Sequence, residues 1–118
     1  MKLYHETHMA TAPTSERRER LRKTVPKMVE CAEKVLYGDI WERKELSKRD
    51  RSMITIAALL TSFRPDQLRV HITRGLENGL TQEEIGELIT HLAFYSGWAS
   101  SMSAAQIAYE VFEEIEKK

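Results

Sequence analysis

The 118-residue chain has a single cysteine, Cys31. One thiol cannot close an internal disulfide, and it cannot supply a cysteine-rich metal cage. Cys31 falls in an apolar stripe with Val25, Met28, Val29, Ala32, Val35 and Leu36, so it is expected to be a small, inert core residue. Glycine is sparse, with 5 residues, and none sits in a phosphate-cradling loop. Long apolar runs are absent as well. The longest, Met53 to Leu60, is too short to span a bilayer, and no membrane association is expected. No secretory pattern opens the chain, which together with the cysteine count gives a cytoplasmic expectation. Net charge is also lacking: 18 basic residues balance 18 acidic ones.

The balance hides an asymmetry. Residues 1–76 hold 16 Lys and Arg against 10 Asp and Glu, a net +6, and residues 77–118 hold 2 against 8, a net −6. The basic residues alternate with acids, as in Glu16-Arg-Arg-Glu-Arg20, which describes solvated helix faces and not a nucleic-acid patch. Opposite charge on the two halves can assist association between copies of the chain.

Helical periodicity dominates what is present. Residues 1–15 are polar and aperiodic and are expected to form a flexible arm, with His5 and His8 in it. Residues 16–118 form a single helical domain. A short helix is expected over Glu16 to Lys23. Thr24 can cap the next helix, with Pro26 in its first turn. The helix after Ser47 is apolar on nearly every side and belongs at the centre of a core or in a subunit contact. Pro65 opens a helix that buries Leu68, His71, Ile72, Gly75 and Leu76. Gly79 stops it. Thr81-Gln-Glu-Glu84 is a capping box for the next helix, whose stripe is Ile85, Leu88, Ile89, Leu92 and Ala93. Gly97 ends that helix, and the last one, from Ser100 or Ser101, buries Met102, Ala105, Ala108, Val111, Phe112 and Ile115. With no strand alternation, the fold class is all-α, five or six helices joined by tight turns.

Chemistry concentrates in two cassettes. In Gln67-Leu-Arg-Val-His71, glutamine, histidine and Gly75 lie one helical turn apart on one face. In His91-Leu-Ala-Phe-Tyr-Ser-Gly-Trp98, the line Glu87, His91, Tyr95 can orient an imidazole and relay a proton. Trp98 and Trp41 can wall an apolar pocket or fill the core. Arg51, beside Ser52 and directly before the buried run, has the geometry of a carboxylate clamp. No metal-ligand spacing accompanies either histidine, and no cofactor is expected.

These motifs, in the order Gly38-Asp-Ile-Trp, Arg51-Ser-Met, Leu68-Arg-Val-His71, Gly75-Leu-Glu-Asn-Gly-Leu-Thr-Gln-Glu-Glu-Ile85 and His91-Leu-Ala-Phe-Tyr-Ser-Gly-Trp98, resemble the carboxymuconolactone decarboxylase family over about residues 38–113. The resemblance implies an alkylhydroperoxidase D-like helical fold and a homo-oligomer, a trimer or hexamer, with sites near subunit contacts. The peroxidase branch of that superfamily uses Cys-x-x-Cys-x-x-x-His with a glutamate twelve residues before the first cysteine. Laid on His71, those positions hold Arg64, Gln67 and Ser52, so a thiol relay is absent. The decarboxylase branch is closer, through Arg51-Ser52, His71 and Tyr95-Ser-Gly-Trp98. It carries glutamate where this chain has Gln67, and proline where it has Ala99. The resemblance implies a decarboxylase of a small cyclic or unsaturated carboxylic acid. His71 is the expected general acid, Arg51 and Gln67 its catalytic companions, and His91, Tyr95, Trp98 and Ser52 the substrate-binding residues. Two alternatives stand beside it: a non-cysteine peroxidase or oxidoreductase of the same superfamily, and a binding or scaffold protein without turnover.

Overall fold

The computed structural model describes residues 14–117. The expected N-terminal arm, with His5 and His8, lies outside the described residues apart from its last two positions, which open the first helix. Six α-helices, and no strand, occur among the described residues: α1 (Thr14–Leu21), α2 (Pro26–Cys31), α3 (Lys48–Thr61), α4 (Pro65–Glu77), α5 (Gln82–Leu92) and α6 (Trp98–Glu116). The fold is all-α. No described helix is long and apolar enough to cross a membrane. The chain divides into two compact units, one ending at Lys48 and the other beginning at Arg49.

In the first unit α2 starts on Pro26 after an N-cap at Val25, and no side chain caps it. Thr24 does not take the capping place expected of it. α2 then widens into a π-helical turn over Ala32–Leu36, with Tyr37 N–H reaching Ala32 C=O at 2.8 Å. A residue added to a turn rotates every later side chain around the axis. The apolar stripe comes apart: Val29 is buried, while Met28 before that turn and Val35 and Leu36 within it are exposed. Cys31 is exposed, which corrects its expected place in a core. Trp41 is buried with its ring 5.9 Å from that of Tyr37, and Arg18 lies 5.0 Å over the Tyr37 ring. Arg22 joins α1 to the π turn by bonding both Glu19 and Glu33, at 2.7 and 2.6 Å.

The second unit holds a continuous core of Ile56, Leu60, Leu68, Ile72, Leu80, Ile85, Ile89, Ala104, Ala108 and Val111. α3 contributes a stripe, Ser52, Ile56 and Leu60, and not its whole circumference, since Ile54 points outward. It ends with Phe63 at φ 53°, where Phe63 N–H bonds Leu60 C=O and Arg64 N–H bonds Leu59 C=O. α4 ends the same way on Gly79, at φ 108°, with Leu80 N–H returning to Gly75 C=O at 2.9 Å. That pair of bonds, Gly79 to Leu76 and Leu80 to Gly75, is the left-handed helix stop for which glycine carries no Cβ penalty. Thr81 and Glu84 complete their capping box, both bonds at 3.0 Å. α5 stops at Leu92, earlier than expected, and Ser96 Oγ–H bonds Leu92 C=O at 2.8 Å in the turn that follows. α6 then begins at Trp98 directly after Gly97.

α6 packs against both α4 and α5. Its buried face is Ser101, Ala104, Ala108 and Val111. Of the six residues expected there, Ala108 and Val111 are buried and Phe112 half-buried, while Met102, Ala105 and Ile115 are exposed. The small side chains of Ser101, Ala104 and Ala108 admit close approach, and Ser101 Oγ–H bonds Ile89 C=O at 2.9 Å. Arg69 on α4 bonds Glu110 on α6, with Glu114 4.0 Å away.

Candidate functional site

The second unit sets His71 on α4 beside a close helix crossing. Gly75, one turn further on, has no side chain to hold α3 away. A Cβ there would stand 3.1 Å from Ile56 Cδ1, 3.0 Å from Leu80 Cδ1 and 3.7 Å from Ser52 Cβ. α3 and α4 therefore meet at Ser52, Ile56 and Gly75, with Arg51 next to the contact on α3. Ser52 is fully buried, and its hydroxyl accepts a 2.9 Å hydrogen bond from Asn78 Nδ2 at the end of α4. A buried hydroxyl needs such a partner, and here it ties two helices together.

His71 and Arg51 are both half-buried, and Gln67 is exposed one turn before His71. Burial pushes the His71 imidazole down from 6.5 to about 4, and the Arg74 charge adds to the fall. Both effects penalise the imidazolium, so the ring is neutral near pH 7. Such a ring offers one N–H donor and one lone pair. Arg51 on α3 and Arg74 on α4 are both half-buried.

The second cassette has a different setting. His91 stacks on Tyr95, with ring centroids 4.8 Å apart, and Phe94 meets Trp98 edge-on at 6.2 Å. His91, Phe94, Tyr95 and Trp98 are all exposed. Among the described residues no group of three or more His, Cys, Asp or Glu side chains is gathered to hold a metal ion.

Sequence reasoning named His71, Gln67, Arg51 and Ser52 but passed over Asn78. Its signal was present, since an asparagine at a helix end needs partners for its amide. Which partner it takes depends on a residue 26 positions away. Phe94 was likewise read as part of a run and not as an exposed ring.

Residues 26–110 match the model of the carboxymuconolactone decarboxylase family. The chain is 40% identical over 79 residues to 4-carboxymuconolactone decarboxylase of Acinetobacter baylyi, covering 67% of this chain and 59% of that protein. It is 27% identical over 82 residues to nitrosuccinic acid decarboxylase npaB of Metarhizium robertsii, covering 70% of this chain and 57% of that one. The matched stretch thus spans somewhat under two thirds of each of these relatives.

Proposed function

The chain belongs to the carboxymuconolactone decarboxylase family, and from that premise we propose that it decarboxylates a small, conjugated carboxylic acid at a site centred on His71. The observation that carries this reading is the setting of His71: a half-buried, neutral imidazole flanked by the cationic Arg74, one turn from the α3–α4 contact at Gly75.

The chemistry follows from those groups. When the bond to the carboxylate carbon breaks, CO₂ leaves and the electron pair spreads into the conjugated carbonyl, placing negative charge on its oxygen. Arg51 holds the carboxylate and then the developing oxyanion, where a guanidinium contributes most in a water-poor site. An anion seated beside His71 opposes Arg74 and raises the imidazole's affinity for a proton. His71 therefore takes up a proton as the substrate binds and passes it to carbon. Gln67 orients ring or substrate by hydrogen bonds but carries no proton. Ser52, through Asn78, fixes α3 against α4. His91, Tyr95 and Trp98 are given no step, since all three face solvent. A homo-oligomer, a trimer or hexamer, belongs to the same proposal.

The test is turnover of 4-carboxymuconolactone and of nitrosuccinate by the purified protein, followed by CO₂ release. His71→Ala should lower kcat/KM by roughly 10²–10⁴-fold, the usual worth of a positioned acid, while Cys31→Ser leaves it unchanged. A His71→Ala protein that matches the wild type ends the assignment.

A further inference from the structure

Arg51 stands in the first turn of α3, which begins at Lys48. The first N–H groups of a helix have no partner within it, so such a turn opens more easily than the helix interior. Here the residues on either side of Arg51 are both tied to one piece of structure, the turn between α4 and α5. Ser52 accepts the 2.9 Å hydrogen bond from Asn78 Nδ2. Arg49 pairs with Glu84. Residues three apart lie on one helix face, so both ties draw the same side of α3 onto the turn. The turn itself is well held. The Glu84 carboxylate also accepts Thr81 N–H at 3.0 Å, and that bond, ahead of Arg49, holds its carboxyl below the ordinary value. A Cβ on Gly79 would stand 4.0 Å from Arg49 Cδ, so the arginine stem passes beside the left-handed stop.

We propose that Asn78 and Glu84 are positioning residues: through Ser52 and Arg49 they clasp the first turn of α3 and fix the place of the Arg51 guanidinium. The two ties are unequal. The side chains of Arg49 and Glu84 are 37% and 40% exposed, so water and salt screen their ion pair and it contributes little. Ser52 is fully buried, and loss of Asn78 would take from its hydroxyl a donor that water does not replace. Asn78 therefore carries most of the hold. The Nε atom of Arg51 is buried, so a loosened turn shows first as faster exchange of its proton with water. The consequence for turnover rests on the decarboxylase reading, in which Arg51 holds the substrate carboxylate. A reacting group displaced by about 1 Å costs such a step roughly 10²-fold.

One measurement tests the clasp without substrate and one with it. By NMR on nitrogen-labelled protein, the Nε–H of Arg51 should exchange roughly tenfold faster in Asn78→Ala than in the wild type, the scale of a lost buried hydrogen bond. Arg49→Met, which leaves the Thr81–Glu84 cap in place, should speed it less. The Nε–H of Arg69, whose side chain is tied to Glu110 on α6, should keep its rate in both variants. On an acid that the wild type decarboxylates, Asn78→Ala should lower kcat/KM by roughly 10–100-fold. In an Arg51→Ala background the same substitution should cost nothing more, because it acts through Arg51. Equal acceleration at both arginines, or none at Arg51, overturns the proposal. So does a folded Asn78→Ala protein with wild-type turnover where His71→Ala has lost it, or a loss that repeats in full on Arg51→Ala. A His71→Ala protein as active as the wild type ends the decarboxylase reading instead, and the exchange rates still decide the clasp.

Discussion

At the scale of single residues, the imidazole of His71 governs two pH dependences. Folded, it titrates at about 4 in place of 6.5 because burial and Arg74 oppose its charge. The unfolded chain therefore binds the extra proton first. The contribution of His71 to stability is complete above pH 6.5 and is lost as pH falls toward 4. The linked change is up to about 3 kcal/mol. Urea midpoints measured at pH 7 and pH 4.5 should fall further apart in the wild type than in His71→Gln, and equal differences would contradict the burial argument. Catalysis has the opposite slope. If the working form is protonated, kcat/KM should rise as pH drops from 7 to 5, approaching tenfold per unit, since the free protein reports its own pKa. A flat profile over that range removes His71 as the proton donor. His71 and Gln67 were legible in the sequence because helical spacing alone sets them on one face. The bond from Asn78 to Ser52 was not, because it joins two helices whose crossing is decided by the missing side chain of Gly75.

At the scale of elements, the turn between α4 and α5 is the best specified part of the chain. Gly79 takes a backbone conformation that an L side chain resists, so Gly79→Ala should cost about 1–2 kcal/mol. Thr81→Ala removes the cap of α5 and should cost about 1 kcal/mol. Thermal or urea unfolding measures both, and a neutral Gly79→Ala would show that the stop is not strained. This turn was readable because its signals are local: a glycine, a threonine, and a glutamate three residues on. Phe63 occupies the same conformation at the end of α3 without a glycine to announce it. Two other elements escaped the sequence for non-local reasons. The π turn after α2 depends on one extra residue in a continuous helical pattern. The register of α6 was ambiguous because small and apolar residues occupy both of its faces between Trp98 and Tyr109. Only contact with α4 and α5 decides which face turns inward.

At the scale of the whole molecule, two forces compete to explain association. The halves of the chain carry +6 and −6, and their attraction would weaken steeply as salt shortens the screening length from about 30 Å at 0.01 M to about 3 Å at 1 M. The exposed face of α6 has no charge between Trp98 and Tyr109, so pairing through it draws on apolar burial, which salt does not screen. The two tryptophans separate these cases, because Trp41 is buried and Trp98 is 64% exposed. In a Trp41→Phe protein the emission of Trp98 should move to the blue as concentration rises and return on dilution. The concentration at the midpoint should hold or fall as salt increases from 0.05 to 0.5 M. A midpoint that climbs tenfold or more over that interval would assign association to the charged halves. An emission that never moves would leave Trp98 in water and outside any contact.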